Sequence, residues 1–144
     1  MQTKVQFRKK SNIKRGLAFR RVPVSRETKR SIMKLEDEIY FELKRFALEK
    51  PSEESCGLLY RSSKGDKLSF HPCRNVHEDP GNFFEVSSSD YLQASEKGEI
   101  EASFHSHPKG GKLSEADLKM SKNLELSFLI YSIPENKFYY NGVN

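Results

Sequence analysis

A change of hydrophobic period at Pro51 limits what this chain can become. Ahead of it, Ile32, Leu35, Ile39, Leu43, Phe46 and Ala47 recur three or four residues apart with Glu and Lys between them, which is one face of an amphipathic helix. Ser25 offers an N-cap and Pro51 a stop, so a helix is expected from about Ser25 to Lys50. After Pro51 the apolar runs shorten to strand length: Cys56–Tyr60, Lys67–Cys73, Ile100–His105, Leu126–Ser132 and Lys137–Tyr140. Turn chemistry separates them, at Ser62–Asp66, Asp79-Pro80-Gly81-Asn82, Lys109-Gly110-Gly111-Lys112 and Pro134-Glu135-Asn136. Asp90–Glu96, ending near Gly98, and Ser114–Asn123 read as shorter helical segments. Arg21–Val24 alternates around Pro23, so it reads as a short edge strand. Two periods interleaved in this way exclude an all-α or all-β domain. They predict one mixed α/β (α+β) domain over residues 21–144. Its central mixed β-sheet would be flanked by the long N-terminal helix and a shorter helix after Ile100–His105.

Composition sets the boundaries. At 144 residues and 35% hydrophobic, the chain carries ten Phe and six Tyr, enough for one core. No run approaches the roughly 18 apolar residues of a membrane span, and no apolar stretch follows the basic N-terminus as a signal peptide requires. Two Cys do not make a disulfide framework; Cys56 and Cys73 are expected to be buried free thiols. The expectation is a soluble, intracellular domain. Charge is unevenly placed. Residues 1–30 hold eleven Lys/Arg against Glu27, a net +10, leaving fourteen basic and nineteen acidic residues behind them. Residues 1–20 therefore read as a basic, aperiodic arm on an acidic body. Such an arm suits an anionic partner. With few aromatics in it, protein docking or plain solvation ranks above nucleic-acid binding.

Phe104-His105-Ser106-His107-Pro108 closes the strand that begins at Ile100. Residues two apart on a strand share a face, so both imidazoles can converge on one ion. Nine residues separate His107 from Asp117, which falls in the first turn of the following helix. Two His, one carboxylate and an open position make the pattern of a catalytic zinc site. Bare His-x-His is nonetheless common in surface or core imidazoles. Ser114-Glu115-Ala116-Asp117 also fits a capping box, with Ser114 as N-cap, and that role is compatible with Asp117 facing the site. Glu54 precedes the Cys56–Tyr60 strand and is a carboxylate able to carry protons for a metal-activated water; it also reads as an exposed acid beside Glu53. His71 and His77 read as surface histidines rather than a second metal site. A zinc deaminase is excluded, because its Pro-Cys-x-x-Cys partner motif is absent.

Glu54-Ser55-Cys56-Gly57-Leu58-Leu59, Asn75 with Asp79-Pro80, His105-Ser106-His107-Pro108 and Ser114-Glu115-Ala116-Asp117 together resemble the JAMM/MPN-domain zinc metallopeptidases. The likeness runs from about Arg21 to Tyr140. It is strongest to prokaryotic and bacteriophage members, including tail-assembly proteins of long-tailed phages. The resemblance implies Zn2+ on His105, His107 and Asp117, Glu54 as general acid/base, and Ser114 as hydrogen-bond donor to the developing oxyanion. It implies a peptide or isopeptide hydrolase acting on a peptide or protein substrate. The partners would be other phage tail proteins reached through the basic arm, in the host cytoplasm during assembly or in the virion tail, with no membrane. The alternative is a non-catalytic tail component that uses the domain as a scaffold and the arm for docking. One departure stands out: the nine-residue gap from His107 to Asp117 is one residue shorter than the family spacing, and Gly110-Gly111 is where a deletion is best absorbed.

Overall fold

The computed structural model describes residues 20–22, 33–64 and 67–142. The expectations for the arm at residues 1–19, and for Pro23 to Ile32, lie outside the described residues. The elements run β1 (Arg20–Val22), β2 (Met33–Leu35), α1 (Asp37–Glu49), β3 (Cys56–Ser62), β4 (Leu68–Cys73), α2 (Ser88–Lys97), β5 (Gly98–His107), α3 (Glu115–Leu124), β6 (Ser127–Ser132) and β7 (Lys137–Asn141).

Five strands form one sheet in the order β4-β3-β5-β6-β7. β3 is antiparallel to both β4 and β5, β6 is antiparallel to β7, and β5 and β6 run parallel. A parallel pair needs a crossover, and α3 supplies it. Helix α1 covers one face through Ile39, Leu43 and Ala47, which pack with Leu59, Phe70, Phe104 and Leu129. Each buried Leu, Ile or Phe of this set contributes about 1.5–3 kcal/mol. The opposite face is covered by α2, against Leu58, Ile100 and Leu126, and by α3, against Phe128 and Ile130. Gly57 lets the two strands β3 and β4 carry Phe70 between them: a Cβ there would strike the Phe70 ring and lie 2.7 Å from the His71 carbonyl. Along β5 the alternation sends Ala102 and Phe104 toward α1, so His105 and His107 face the α3 side.

The long helix begins at Asp37 rather than Ser25, and Met33–Leu35 is a strand. It pairs antiparallel with β1 in the register Arg20↔Leu35, Arg21↔Lys34, Val22↔Met33. The expected edge strand therefore exists as Arg20–Val22, but in a separate two-stranded sheet. The backbone stays extended through Glu36 (φ −64°, ψ 152°), and Asp37 and Glu38 then place negative charge at the positive end of the helix.

Candidate metal centre

From Ala102 to His107 every residue of β5 is buried, so whatever this strand presents is presented out of water. His105 has no exposed surface. Phe84 stacks on its ring at 4.1 Å and 23°, and Phe128 meets it edge-on at 5.7 Å. His105 Nε2 lies 3.2 Å from Asp117 Oδ1, and His107 Nε2 lies 3.1 Å from Asp117 Oδ2. One carboxylate thus faces both imidazoles.

Asp117 is aimed by the start of α3. The Ser114 N–H donates to Asp117 Oδ2 (3.0 Å) and the Asp117 N–H donates to Ser114 Oγ (3.1 Å), a reciprocal capping box. The cap uses a lone pair of the Ser114 hydroxyl and leaves its proton for another acceptor. The short loop from His107 closes because Gly110 and Gly111 take φ of 88° and 94°, where other residues are strained. His107 Nδ1 lies 3.2 Å from the Gly111 carbonyl, and with the ring proton on Nδ1 the Nε2 lone pair is turned to Asp117.

Glu54 reaches the same place from the other side. The Ser55 N–H donates to Ser106 Oγ (2.9 Å), the Ser106 N–H donates to Ser55 O (2.9 Å), and the Ser106 hydroxyl donates to Glu53 O (3.4 Å). Ser106, between the two histidines, thereby ties the Glu53–Ser55 segment to β5. One donor atom each of Glu54, His105 and His107 fall within 4.8 Å of one another. Glu54, His107, Ser114 and Asp117 line one cavity of about 410 Å³, with Phe83 and Met120 on its walls. Glu53 instead faces a separate cavity with Glu49 and Lys50.

Electrostatics separate these groups. Burial pushes the Glu54 carboxyl up to about 8; the nearby His107 works against that shift and Asp117 adds to it. Burial would also raise Asp117, but the two imidazoles and the Ser114 N–H outweigh it and hold this carboxyl far below the usual range. Burial lowers His105, outweighing the pull of Asp117. For His107 burial acts downward too, yet Asp117 and Glu54 win and raise it.

These residues suit a metal ion. Both ring nitrogens of His105 are buried without an aligned hydrogen-bond partner, although Nε2 lies 3.2 Å from Asp117 Oδ1. A neutral imidazole lone pair set against a carboxylate is repulsive unless a cation sits between them. Two imidazoles, an anionic carboxylate and an open cavity form a donor set matched to zinc.

All five residues expected at the site come together: Glu54, His105, His107, Ser114 and Asp117. Sequence reasoning missed Ser106 and Phe84. Ser106 sits inside the His-x-His motif; Phe84 gave no signal beyond its turn. Cys56 and Cys73 are buried free thiols on directly opposed positions, as expected. His77 is partly exposed, with its ring in tilted contact with Phe83. His71 is no surface histidine: it is buried on β4, where its Nδ1 lies 2.9 Å from Lys97 Nζ.

Comparison with known proteins adds two findings. Residues 37–141 match the family described as prokaryotic homologs of the JAB domain. The tail tip assembly protein K of Escherichia phage N15 is 34% identical over 83 residues, which is 57% of this chain and 33% of that protein. The match thus spans about one-third of the relative's length.

Proposed function

The chain belongs to the prokaryotic homologs of the JAB domain, and from that membership we propose that it is a zinc-dependent hydrolase of peptide or isopeptide bonds serving bacteriophage tail assembly. The observation that carries the reading is the Asp117 carboxylate facing two buried imidazoles, with the Glu54 carboxyl in the same cavity. His105, His107 and Asp117 would hold the ion. Zinc bound there supplies Lewis acidity, polarising an amide carbonyl and bringing a water's pKa to about 7.

The chain's own residues do the rest. Glu54, raised to about 8, exchanges protons readily near neutral pH: it accepts one from the attacking water and returns it to the departing nitrogen. The Ser114 hydroxyl, fixed as helix cap on its acceptor side, directs its proton into the cavity, where it stabilises the oxyanion. Phe84 and Phe128 keep water from the buried face of His105.

The relative named as a tail tip assembly protein supports the phage setting, in the host cytoplasm during assembly or in the virion tail. Among the described residues no helix is long and apolar enough to cross a membrane. The same relative, together with the net +10 of residues 1–30, supports a second reading: a non-catalytic tail component that docks through its basic arm. Metal analysis decides between them. Protein purified without chelator should carry one zinc per chain, and His105→Ala should abolish it. A wild-type chain that carries no zinc and cannot be loaded leaves the assembly reading standing.

A further inference from the structure

Glu54 lies between α1 and β3, outside any strand, yet both of its peptide groups are satisfied by one distant loop. Its N–H donates to Pro80 O at 2.7 Å. Its carbonyl accepts from Asn75 Nδ2 at 2.8 Å. That Nδ2 also donates to Phe83 O at 2.8 Å and Pro80 O at 3.4 Å. On the other side of the same amide, Asn75 Oδ1 accepts the N–H groups of His77 (3.0 Å) and Glu85 (3.1 Å). The Val76 N–H donates to Glu85 O at 3.0 Å and closes the neck of the loop. One side chain thus saturates five loop and turn contacts, more than an amide needs for its own solvation.

The loop so gathered forms a wall of the catalytic cavity. Phe83 projects from it 53% exposed, with its ring tilted against His77 at 4.9 Å and 31°. The next residue, Phe84, turns inward onto His105. An exposed Phe on a braced loop beside a proton-carrying carboxyl is a ready contact for an apolar group.

We propose that Asn75 is a positioning residue that locks Glu54 and the loop bearing Phe83 into one unit, so that an apolar side chain of a peptide substrate resting on Phe83 is held in register with the Glu54 carboxyl. The proposal rests on the hydrolase reading for its substrate, but the coupling has its own readout. Asn75→Asp keeps the size and the acceptor while setting a carboxylate against three carbonyls. Hydrogen exchange on the zinc-loaded chain should then show the Glu54, His77 and Glu85 amides at least about tenfold faster, the scale of one to two lost hydrogen bonds. The Phe104 and Ile130 amides and the zinc content should stay unchanged. With a proteome-derived peptide mixture read by mass spectrometry, the wild type should select an apolar residue at one fixed position from the cleaved bond. Phe83→Ala, at an exposed site that the fold tolerates, should erase that selection and raise KM. Asn75→Asp should instead depress kcat. Unaltered exchange at Glu54 in Asn75→Asp, or selection retained in Phe83→Ala, overturns the proposal. If exchange quickens while the wild type cleaves nothing, the coupling stands and the hydrolase reading falls. If the wild type cleaves and both variants match it, the hydrolase reading stands and the coupling falls.

Discussion

Two adjacent glutamates, Glu53 and Glu54, differ in which side of the turn they face, and on the proposed hydrolase reading that difference selects the proton carrier. Glu54 lines the cavity with His107 and Asp117, whereas Glu53 faces away beside Lys50. Glu54→Gln should therefore keep fold and zinc while lowering turnover by at least about two orders of magnitude, the usual contribution of a general acid/base. Glu53→Gln should stay near the wild-type rate; steady-state kinetics on one peptide substrate compares the two. The raised carboxyl also makes a stability statement. Its pKa is about 8 when folded against 4.5 as the ordinary value, so between those limits the folded chain binds a proton that the unfolded chain does not. The Glu54 contribution to stability thus falls as pH rises from about 4.5 to about 8. In chelator-treated protein, melting temperatures of wild type and Glu54→Gln should diverge with rising pH in that window, the variant becoming relatively more stable. Parallel curves would mean that Glu54 is not buried as described.

At the scale of elements, the turn from β5 into α3 carries the site. It must bring Asp117 back to both imidazoles within nine residues, and it does so through two glycines at positive φ. At Gly111 a Cβ meets no atom within 4 Å, so the obstacle to a side chain is conformational and not steric. Gly111→Ala should shift the carbonyl that holds His107 Nδ1 and weaken zinc binding about 10- to 100-fold, as losing an outer partner of a ligating His does, with little change in fold. Competition with a zinc chelator measures it; unchanged affinity would show that the carbonyl does not orient the ring. The same turn explains what could be read in advance. Strands β3 to β7 were legible because each is an apolar run bounded by turn residues, and His105, His107 and Asp117 because strand and helix periodicity bring them onto facing elements. The start of α1 was not legible. Leu35 is buried in one cluster with Ile39 although it lies on a strand, so apolar spacing alone did not mark the boundary; the partner strand Arg20–Val22, distant in sequence, is what the spacing could not show. Nor could spacing place Glu54, whose position depends on bonds from Ser106 and Asn75 that span 51 and 21 residues.

For the whole molecule, the deciding feature is that the described core and the excess of positive charge occupy different parts of the chain. Among the described residues, the large fully buried side chains run from Leu35 through Leu43, Leu59 and Phe104 to Ile130. The excess of positive charge precedes them: +10 over residues 1–30, against fourteen basic and nineteen acidic residues afterwards. Removing residues 1–19 takes away six of the basic residues and none of these core residues, and it leaves β1 its full length from Arg20. The truncated chain should therefore melt within a few degrees of the full one and keep its zinc. What it should lose is attraction for an acidic partner. Exposed charges act over a Debye length of about 10 Å at 0.1 M salt and about 3 Å at 1 M, so the loss should be greatest at low ionic strength and vanish at high. Polyglutamate is a defined first probe, and duplex DNA the control that separates an acidic protein surface from a nucleic acid. Equal binding by both chains at low salt would remove the arm from any docking role. Collapse of the truncated domain would make the arm a packed part of the fold, and binding that does not respond to salt would assign the contact to shape rather than charge.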